Sequence, residues 1–157
     1  MKNLLCAVLL FLGCLLYSAE IIGKVVGVTD GDTITVLDDM DKGRFRIRLD
    51  KIDAPEKKQA FGAKAKQYLS TLIYGKQVKI RFKKIDNYGR ILGIVYLDGK
   101  EINLQMVQDG LAWHYRHYDN TESYITAEQI ARANKKGLWI EKDPINPYLF
   151  RKQNKKR

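Results

Sequence analysis

The sequence predicts a small closed β-barrel with helices, an α+β fold in which five short strands form a Greek-key barrel and about three α-helices are added. Segments with the residue pattern of strands occur five times, a helical segment follows the third, and two more helical segments follow the fifth. The chain has 157 residues, of which 45% are hydrophobic, so it is long enough and apolar enough to bury one core.

The first three strands are predicted from β-branched residues and from alternation of apolar with charged residues, which is typical of half-buried strands. Their ranges are 21–28, 33–37 and 44–52, and a turn at 38–43 joins the last two. The segment 62–73 then changes to helical spacing, because its apolar residues fall on one stripe with lysines opposite. A first helix therefore follows three strands.

Two more strands and two more helices complete the predicted fold. The strands are placed at 77–85 and 91–97, with a turn at 86–90 between them. The helices are placed at 102–108 and at 121–136, and a glycine lies close to the end of each. The closure of the barrel is inferred from this order of elements.

The N-terminal segment has the layout of a secretory signal peptide. Lys2 supplies a positive start, residues 4–16 are almost wholly apolar, and the small residues Ser18 and Ala19 precede Glu20. We expect cleavage after Ala19, because the apolar run is shorter than the roughly 20 residues that a membrane-spanning helix needs. The protein is then expected to be secreted, or released into the periplasm or cell envelope.

Two alternatives to simple cleavage stay open for this segment. If it is retained, the apolar residues would anchor the protein in a membrane. Cys14 lies in a stretch with a faint resemblance to a bacterial lipoprotein cleavage site, where it would carry lipid. Cys6 and Cys14 are the two cysteines of the chain, so cleavage after Ala19 would leave a barrel without thiol or disulfide.

Residues 20–148 are predicted to form one domain, since no long polar linker or internal repeat interrupts them. Residues 149–157 are interpreted as a basic C-terminal tail that is frayed or adds attraction for phosphate. The formal charge of +10 falls to +9 without residues 1–19, because this segment contains Lys2 and no acid. Such a charge favours nucleic acid or an anionic membrane surface, and charge alone does not choose between them.

Two motifs rich in acidic residues and arginine lie on the predicted barrel. The first begins at Asp30-Gly31-Asp32-Thr33 and resumes at 48–56 (RLDKIDAPE), and the second occupies 86–96 (DNYGRILGIVY). Together they resemble the two signatures of the staphylococcal thermonuclease family, and the resemblance extends from about residue 22 to residue 139. It implies an oligonucleotide-binding (OB) barrel and an endonuclease that hydrolyses DNA and RNA with little sequence specificity, leaving 3′-phosphate ends.

Asp32 and Asp53 are the candidate metal ligands, because they lie near the start of one predicted strand and the end of a later one and would converge in a hairpin. Two carboxylates at close range repel, and a divalent cation relieves that repulsion. Hard oxygen ligands without Cys or clustered His indicate Ca²⁺ or Mg²⁺ rather than zinc. The resemblance implies Ca²⁺, with the backbone carbonyl of Ala54 and water as further ligands and Asp30 behind them.

Arg48, Glu56 and Arg90 are the candidate catalytic residues. Taken singly, the arginines could be an exposed strand charge and a turn residue. The resemblance assigns phosphate binding and transition-state stabilisation to Arg48 and Arg90, and water orientation or general-base catalysis to Glu56. Arginine suits this role because its planar guanidinium donates two parallel hydrogen bonds to phosphate oxygens and keeps its charge.

Tyr88 and Tyr118 are the candidate substrate-binding residues. The resemblance places Tyr88 on a terminal phosphate of the nucleotide and Tyr118 near the base, and a simple packing role for Tyr118 stays open. Aromatic stacking accepts any base, which suits a nonspecific nuclease. The chain departs from the family at Asn87, where Lys or Arg is usual, so we expect one phosphate contact to be missing. The segment after Glu56 is also shorter than in the staphylococcal enzyme.

The expected partners are DNA and RNA substrates, with a monomeric protein and no obligate protein partner. An uncleaved N-terminus would add peripheral membrane association. A barrel of this family that binds nucleic acid without catalysis is an alternative, but it would lack parts of the site, and all the candidate catalytic and metal residues are present. A basic adhesion or membrane-associated protein is a second alternative, which explains the charge and the signal segment but neither motif.

Overall fold

The chain is described by a computed structural model over residues 19–155, and the predicted signal segment lies outside this range except for Ala19. The strands within the range are β1 (Ala19–Asp30), β2 (Thr33–Asp38), β3 (Arg44–Leu49), β4 (Ile52–Asp53), β5 (Gln77–Ile85), β6 (Ile91–Leu97), β7 (Lys100–Glu101) and β8 (Trp113–His114). The helices are α1 (Gly62–Ile73), α2 (Ile102–Gln108), α3 (Glu122–Ala133), a 3₁₀ helix (Gly137–Ile140) and α4 (Pro147–Asn154). All of these helices are too short or too polar to span a bilayer.

Five of the strands close into a barrel. β1 pairs antiparallel with both β2 and β5, β2 pairs with β3, and β5 pairs with β6. A parallel pairing between β3 and β6 completes the ring. β1 reaches two neighbours because it is long and is bulged after Val25 and after Val28, which bends it across the barrel. The predicted OB-type barrel with helices is therefore confirmed.

Aliphatic side chains fill the barrel. The sequence of β3 alternates, so that Ile47 and Leu49 are fully buried while Arg44 and Arg46 are exposed. Helix α1 covers one side of this core with its buried residues Ala65, Leu69 and Ile73. A smaller cluster lies under α3 and the 3₁₀ helix and consists of Ala131, Leu138 and Trp139, with Phe61 and Trp113 packed against it.

The C-terminal residues differ from the prediction. The sequence analysis places a frayed basic tail at 149–157, but residues 147–154 form helix α4. Asn146 caps this helix, since its side-chain oxygen accepts a hydrogen bond of 2.9 Å from the backbone N–H of Tyr148, and Pro147 occupies the first turn. Asn followed by Pro is a helix-start signal. The sequence contains it at Asn146-Pro147, just before the run of basic residues on which the prediction of a tail is based.

Candidate active site

The candidate site lies at one end of the barrel, where the start of β2 meets the end of β3. The antiparallel register pairs Thr33 with Arg48, which brings Asp32 beside the last residues of β3. The backbone N–H of Leu49 donates to the carbonyl of Asp32 over 2.8 Å, so this arrangement is fixed by the main chain. The chain then turns sharply and forms β4, which ends at Asp53.

Arg48 connects the two predicted metal ligands. Its Nη2 lies 3.1 Å from Oδ2 of Asp32 and 3.0 Å from Oδ1 of Asp53. Its Nη1 donates to the backbone carbonyls of Leu49, over 2.7 Å, and Ile52, over 2.9 Å. The side chain is only 11% exposed, so Arg48 is a buried bridge between carboxylates and not a solvated strand charge.

Asp32 is a buried carboxylate with more negative than positive neighbours. Its Oδ2 accepts the backbone N–H of Ala54 over 2.7 Å, and its Oδ1 accepts the hydroxyl of Thr33 over 3.2 Å. Burial raises the pKa of Asp32 to about 7; Arg48 opposes the shift, and the charges of Asp30 and Asp53 add to it. An additional positive charge near Asp32 would therefore stabilise its ionised form.

The turn between β1 and β2 holds Asp30 and Asp32 close to α1. Oδ1 of Asp30 accepts the backbone N–H of Asp32 over 3.2 Å, so Asp30 supports the turn that carries Asp32. A Cβ on Gly31 would lie 2.7 Å from the Cβ atoms of both Ala54 and Ala65. Only glycine allows the turn to pack this tightly, which sets the position of Asp32 relative to the loop after β4.

Glu56 lies on the loop between β4 and α1. Its backbone N–H donates to Oε1 of Gln59 over 3.1 Å, and its carbonyl accepts the N–H of Gln59 over 2.8 Å. Gly62 packs directly against the carbonyl of Glu56, where no Cβ has room. The loop is therefore rigidly attached to the first turn of α1, and the Glu56 side chain is partly exposed beside Asp53.

Arg151 of helix α4 also enters the site, and the sequence analysis missed it. Its Nη1 lies 3.0 Å from Oδ1 of Asp53 and 2.7 Å from Oε1 of Glu56, and its Nη2 lies 2.9 Å from Oδ2 of Asp53. Nothing in the spacing of the sequence connects Arg151 with Asp53, because they are 98 positions apart. Recognition of the α4 helix start would have been the only available signal.

Arg90 lies in the turn before β6 and is held by a different partner. The parallel register pairs Ile91 with Ile47, so Arg90 precedes the strand that flanks β3 and lies level with Arg46, two residues before Arg48. Its Nε and Nη2 each lie 2.8 Å from Oδ2 of Asp86, and its guanidinium lies 5.4 Å from the centre of the Tyr88 ring. The charge of Arg90 is thus paired within its own turn.

The two candidate substrate tyrosines are both largely exposed. Tyr88 is 80% and Tyr118 is 81% accessible. Tyr118 packs edge-on against Tyr115, with ring centres 5.0 Å apart. Burial and the charge of Asp53 raise the pKa of Tyr115. Tyr88 and Tyr118 therefore present exposed aromatic surface, the first beside Arg90 and the second beside Tyr115.

The oxygen atoms of this site suit a hard divalent cation. Asp32, Asp53 and Glu56 carry three negative charges, with Asp30 behind them, against the two guanidinium groups of Arg48 and Arg151. Among residues 19–155, no three His, Cys, Asp or Glu side chains are grouped so that they hold a metal ion by themselves. Two carboxylates and a backbone carbonyl would leave several positions for water, as is usual for Mg²⁺ and common for Ca²⁺.

The fold and the site together define an OB barrel with paired carboxylates and guanidinium groups at one end. Residues 46–141 match the family model described as Staphylococcal nuclease homologue. The chain is 45% identical over 132 residues to a protein named "uncharacterized endonuclease" from Haemophilus influenzae, which covers 84% of this chain and 74% of the relative. It is 39% identical over 148 residues to a micrococcal nuclease of Shigella flexneri, covering 87% and 84% of the two chains.

The chain belongs to the staphylococcal nuclease homologue family, and the resemblance carried by its two motifs is confirmed. A further relative, also named "uncharacterized endonuclease" and from Escherichia coli, is 44% identical over 134 residues, covering 85% of this chain and 86% of the relative. These similarities extend beyond residues 46–141, so they include both candidate metal ligands and most of the barrel.

Proposed function

We propose that this member of the nuclease family is a Ca²⁺-dependent endonuclease that hydrolyses phosphodiester bonds of DNA and RNA with little sequence specificity. The observation that carries the proposal is the buried bridge of Arg48 between Asp32 and Asp53, with Glu56 on the adjoining loop. A cluster with this much negative charge in a basic protein suits a divalent cation and a phosphate substrate better than a purely structural role.

Asp32, Asp53 and the carbonyl of Ala54 would hold the cation. When bound, Ca²⁺ supplies Lewis-acid polarisation of a phosphate oxygen and charge for the carboxylates. The protein side of the site is built in advance: the backbone N–H of Ala54 and the hydroxyl of Thr33 orient the Asp32 carboxylate. Arg48 fixes the distance between Asp32 and Asp53 from the other side.

Arg48 and Arg90 bind the phosphate and stabilise the negative charge that develops on it. Arg48 is held by two backbone carbonyls, so its guanidinium is preorganised and needs little rearrangement. Arg90 approaches from the adjacent strand and exchanges its ion pair with Asp86 for the phosphate. Glu56 orients the attacking water, or accepts its proton, at the edge of the cluster.

Tyr88 and Tyr118 contact the nucleotide. Their exposure leaves the hydroxyl of Tyr88 free for a phosphate and the ring of Tyr118 free for a base. Because stacking and phosphate contacts do not read base edges, the enzyme accepts both nucleic acids. The missing basic side chain at Asn87 lowers affinity without removing chemistry.

The protein acts as a monomer outside the cytoplasm, after removal of residues 1–19 or while anchored by them. This part of the proposal depends on the signal-like composition of the N-terminus and on the exclusion of both cysteines from residues 20–157. Mass spectrometry of the protein recovered from culture medium, periplasm and membranes tests it. An intact N-terminus in the cytoplasmic fraction would contradict it.

Cleavage of plasmid DNA and of RNA by residues 20–157, with Ca²⁺ and with a calcium chelator, tests the enzymatic proposal. Both substrates should be cut with Ca²⁺, and cleavage should stop with the chelator. Full activity in the chelator would contradict calcium dependence. Tight, salt-sensitive binding of both nucleic acids without cleavage would favour the binding-module alternative.

A further inference from the structure

Arg151 occupies the acid cluster from a segment that lies outside the barrel. It is carried by α4, which follows the residues matched by the family model, and its guanidinium bridges Asp53 and Glu56. Three carboxylate oxygens accept from it, at 2.7, 2.9 and 3.0 Å. Arg151 is therefore a tethered cation placed on one candidate metal ligand and on the candidate base.

The contacts of Asp53 show that this cation and a divalent cation compete. Oδ1 of Asp53 accepts from both Arg48 and Arg151, and Oδ2 accepts from Arg151. A carboxylate offers about four acceptor positions, so few remain for another ligand. Three hydrogen bonds already use the Asp53 carboxylate, so a metal ion that binds it competes with Arg151 for the same oxygens and is repelled by a guanidinium that stays charged at any physiological pH.

Arg151 keeps its positive charge throughout the physiological pH range, because a guanidinium is not deprotonated in proteins. Arg151 compensates charge in this cluster whenever no other cation is present.

Helix α4 is attached in a way that permits release. It has eight residues, which is too short for stability in isolation, and Pro147 is its one buried residue. Besides Arg151, its attachments include the contact of Tyr148 with the ring of His117 at 4.9 Å and the packing of Phe150 in a small hollow near Pro55. The ion pairs of Arg151 therefore supply a large share of what holds α4 on the barrel.

We propose that Arg151 is the resident counter-cation of the active site, which α4 inserts between Asp53 and Glu56 and which Ca²⁺ must displace before the enzyme is loaded. This inference rests on the proposed function and adds its regulation. Closure of α4 keeps Asp53 and Glu56 paired at low Ca²⁺ and lowers the net negative charge of the cluster, and Ca²⁺ binding opens α4. The affinity for Ca²⁺ is then set partly by the stability of the closed helix.

The test is a calorimetric titration of Ca²⁺ into residues 20–157 and into Arg151→Gln. When the closed form predominates, apparent affinity falls by the fraction of protein that is open, so Arg151→Gln should bind Ca²⁺ about tenfold more tightly. Lys152→Gln is the matched control, because it removes the same charge from the next, exposed position of α4 and should leave affinity nearly unchanged. Arg151→Lys should lie between, since lysine keeps the charge but cannot bridge both carboxylates.

Hydrogen exchange of α4 provides a second readout on the unmodified protein. Amides of residues 148–154 should exchange faster after saturation with Ca²⁺, whereas those of α1 should not. Unchanged or weaker Ca²⁺ affinity in Arg151→Gln would overturn the inference, and so would increased protection of α4 on binding Ca²⁺.

Failure of this inference can be told apart from failure of the proposed function. Ca²⁺-dependent cleavage by the wild type, together with equal Ca²⁺ affinity in wild type and Arg151→Gln, would contradict the counter-cation role alone. Absence of Ca²⁺ binding from both proteins would contradict the role of Arg151 and the calcium dependence together.

Discussion

Two buried carboxylate clusters of this protein are constructed in opposite ways. Glu128, 1% exposed, accepts the backbone N–H of His114 over 2.8 Å and the Nε of Arg132 over 2.8 Å, and Arg116 lies 3.9 Å from it. Arg132 in turn stacks on the rings of Trp113 and Trp139, with its guanidinium carbon 4.7 and 3.9 Å from the two ring centres. The single carboxylate of this cluster is thus fully neutralised by neighbours that mostly lie on one helix and the adjoining strand.

The candidate active site has the reverse balance. Asp32, Asp53 and Glu56 share two guanidinium groups, and one of these comes from the far C-terminal helix. A buried carboxylate is stabilised when it is paired and hydrogen-bonded, and unpaired negative charge raises the energy of the fold. The comparison indicates that the Glu128 cluster serves stability, whereas the candidate active site keeps a net negative charge that a bound cation would compensate.

The largest expected effect separates the arginines of the two clusters. Arg48→Lys should reduce single-turnover cleavage by about 10²–10³, or about 3–4 kcal/mol, because an ammonium cannot hold Asp32, Asp53 and two backbone carbonyls in place as Nη1 and Nη2 do while Nε stays available to the phosphate. Arg132→Lys should cleave at nearly the wild-type rate and melt at a lower temperature, since it loses stacking on two indoles. Similar cleavage rates in both variants would contradict a catalytic role for Arg48 that Arg132 does not share.

A second prediction concerns the free energy of unfolding without Ca²⁺. Glu128→Gln should lower it by about 1–3 kcal/mol, because the His114 amide and Arg132 lose a buried charged acceptor. Asp32→Asn should change it less, and in the stabilising direction, because it removes a charge that burial and repulsion with Asp30 and Asp53 disfavour, although it also removes the ion pair with Arg48. Urea unfolding of both variants in chelator measures the difference. Equal destabilisation by the two substitutions would contradict the net negative charge of the candidate active site.

A smaller, pH-dependent effect is expected at Asp119, which resembles Glu128 in being well paired. Burial acts to raise its pKa, but hydrogen bonds from Thr121 and His114 and the charge of Lys51 lower it below the ordinary 3.8. Its contribution is therefore present above pH 3.8 and is lost as the pH falls through the lower, folded-state pKa. Asp119→Asn should cost about 1 kcal/mol at pH 7 and progressively less as the pH falls below 3.8. A pH-independent difference in urea unfolding would contradict this.

The regular part of the fold follows closely from the sequence. Predicted ranges for α1, α2, β5 and β6 coincide with the observed ones, because each has one clear periodicity. The strand predicted at 44–52 is instead broken after Leu49, where Lys51 takes a left-handed conformation with φ of 67°. The alternation of apolar and charged residues stops at Leu49, because Asp50 and Lys51 are both charged, and this change of phase is the sequence signal for the turn that directs Asp53 toward Asp32.

The site was predictable as far as its members lie in contiguous motifs. Asp32, Arg48, Asp53, Ala54 and Glu56 come together as expected, because a hairpin register connects them. The pairing of Arg90 with Asp86 and the entry of Arg151 depend on side-chain rotamers and on the docking of α4. The periodicity of the sequence predicts helices and strands, and it does not predict which partner Arg90 or Arg151 pairs with.

The measurement that tests the central claim most directly is the effect of Ca²⁺ on the melting temperatures of wild type, Asp32→Asn and Glu128→Gln. A ligand that binds only the folded state at about 100 times its Kd adds about 2.7 kcal/mol of stability. Ca²⁺ should therefore raise the melting temperature of wild type and of Glu128→Gln, and leave that of Asp32→Asn nearly unchanged. An equal shift in all three proteins, or none in wild type, would contradict a cation site at the candidate active site.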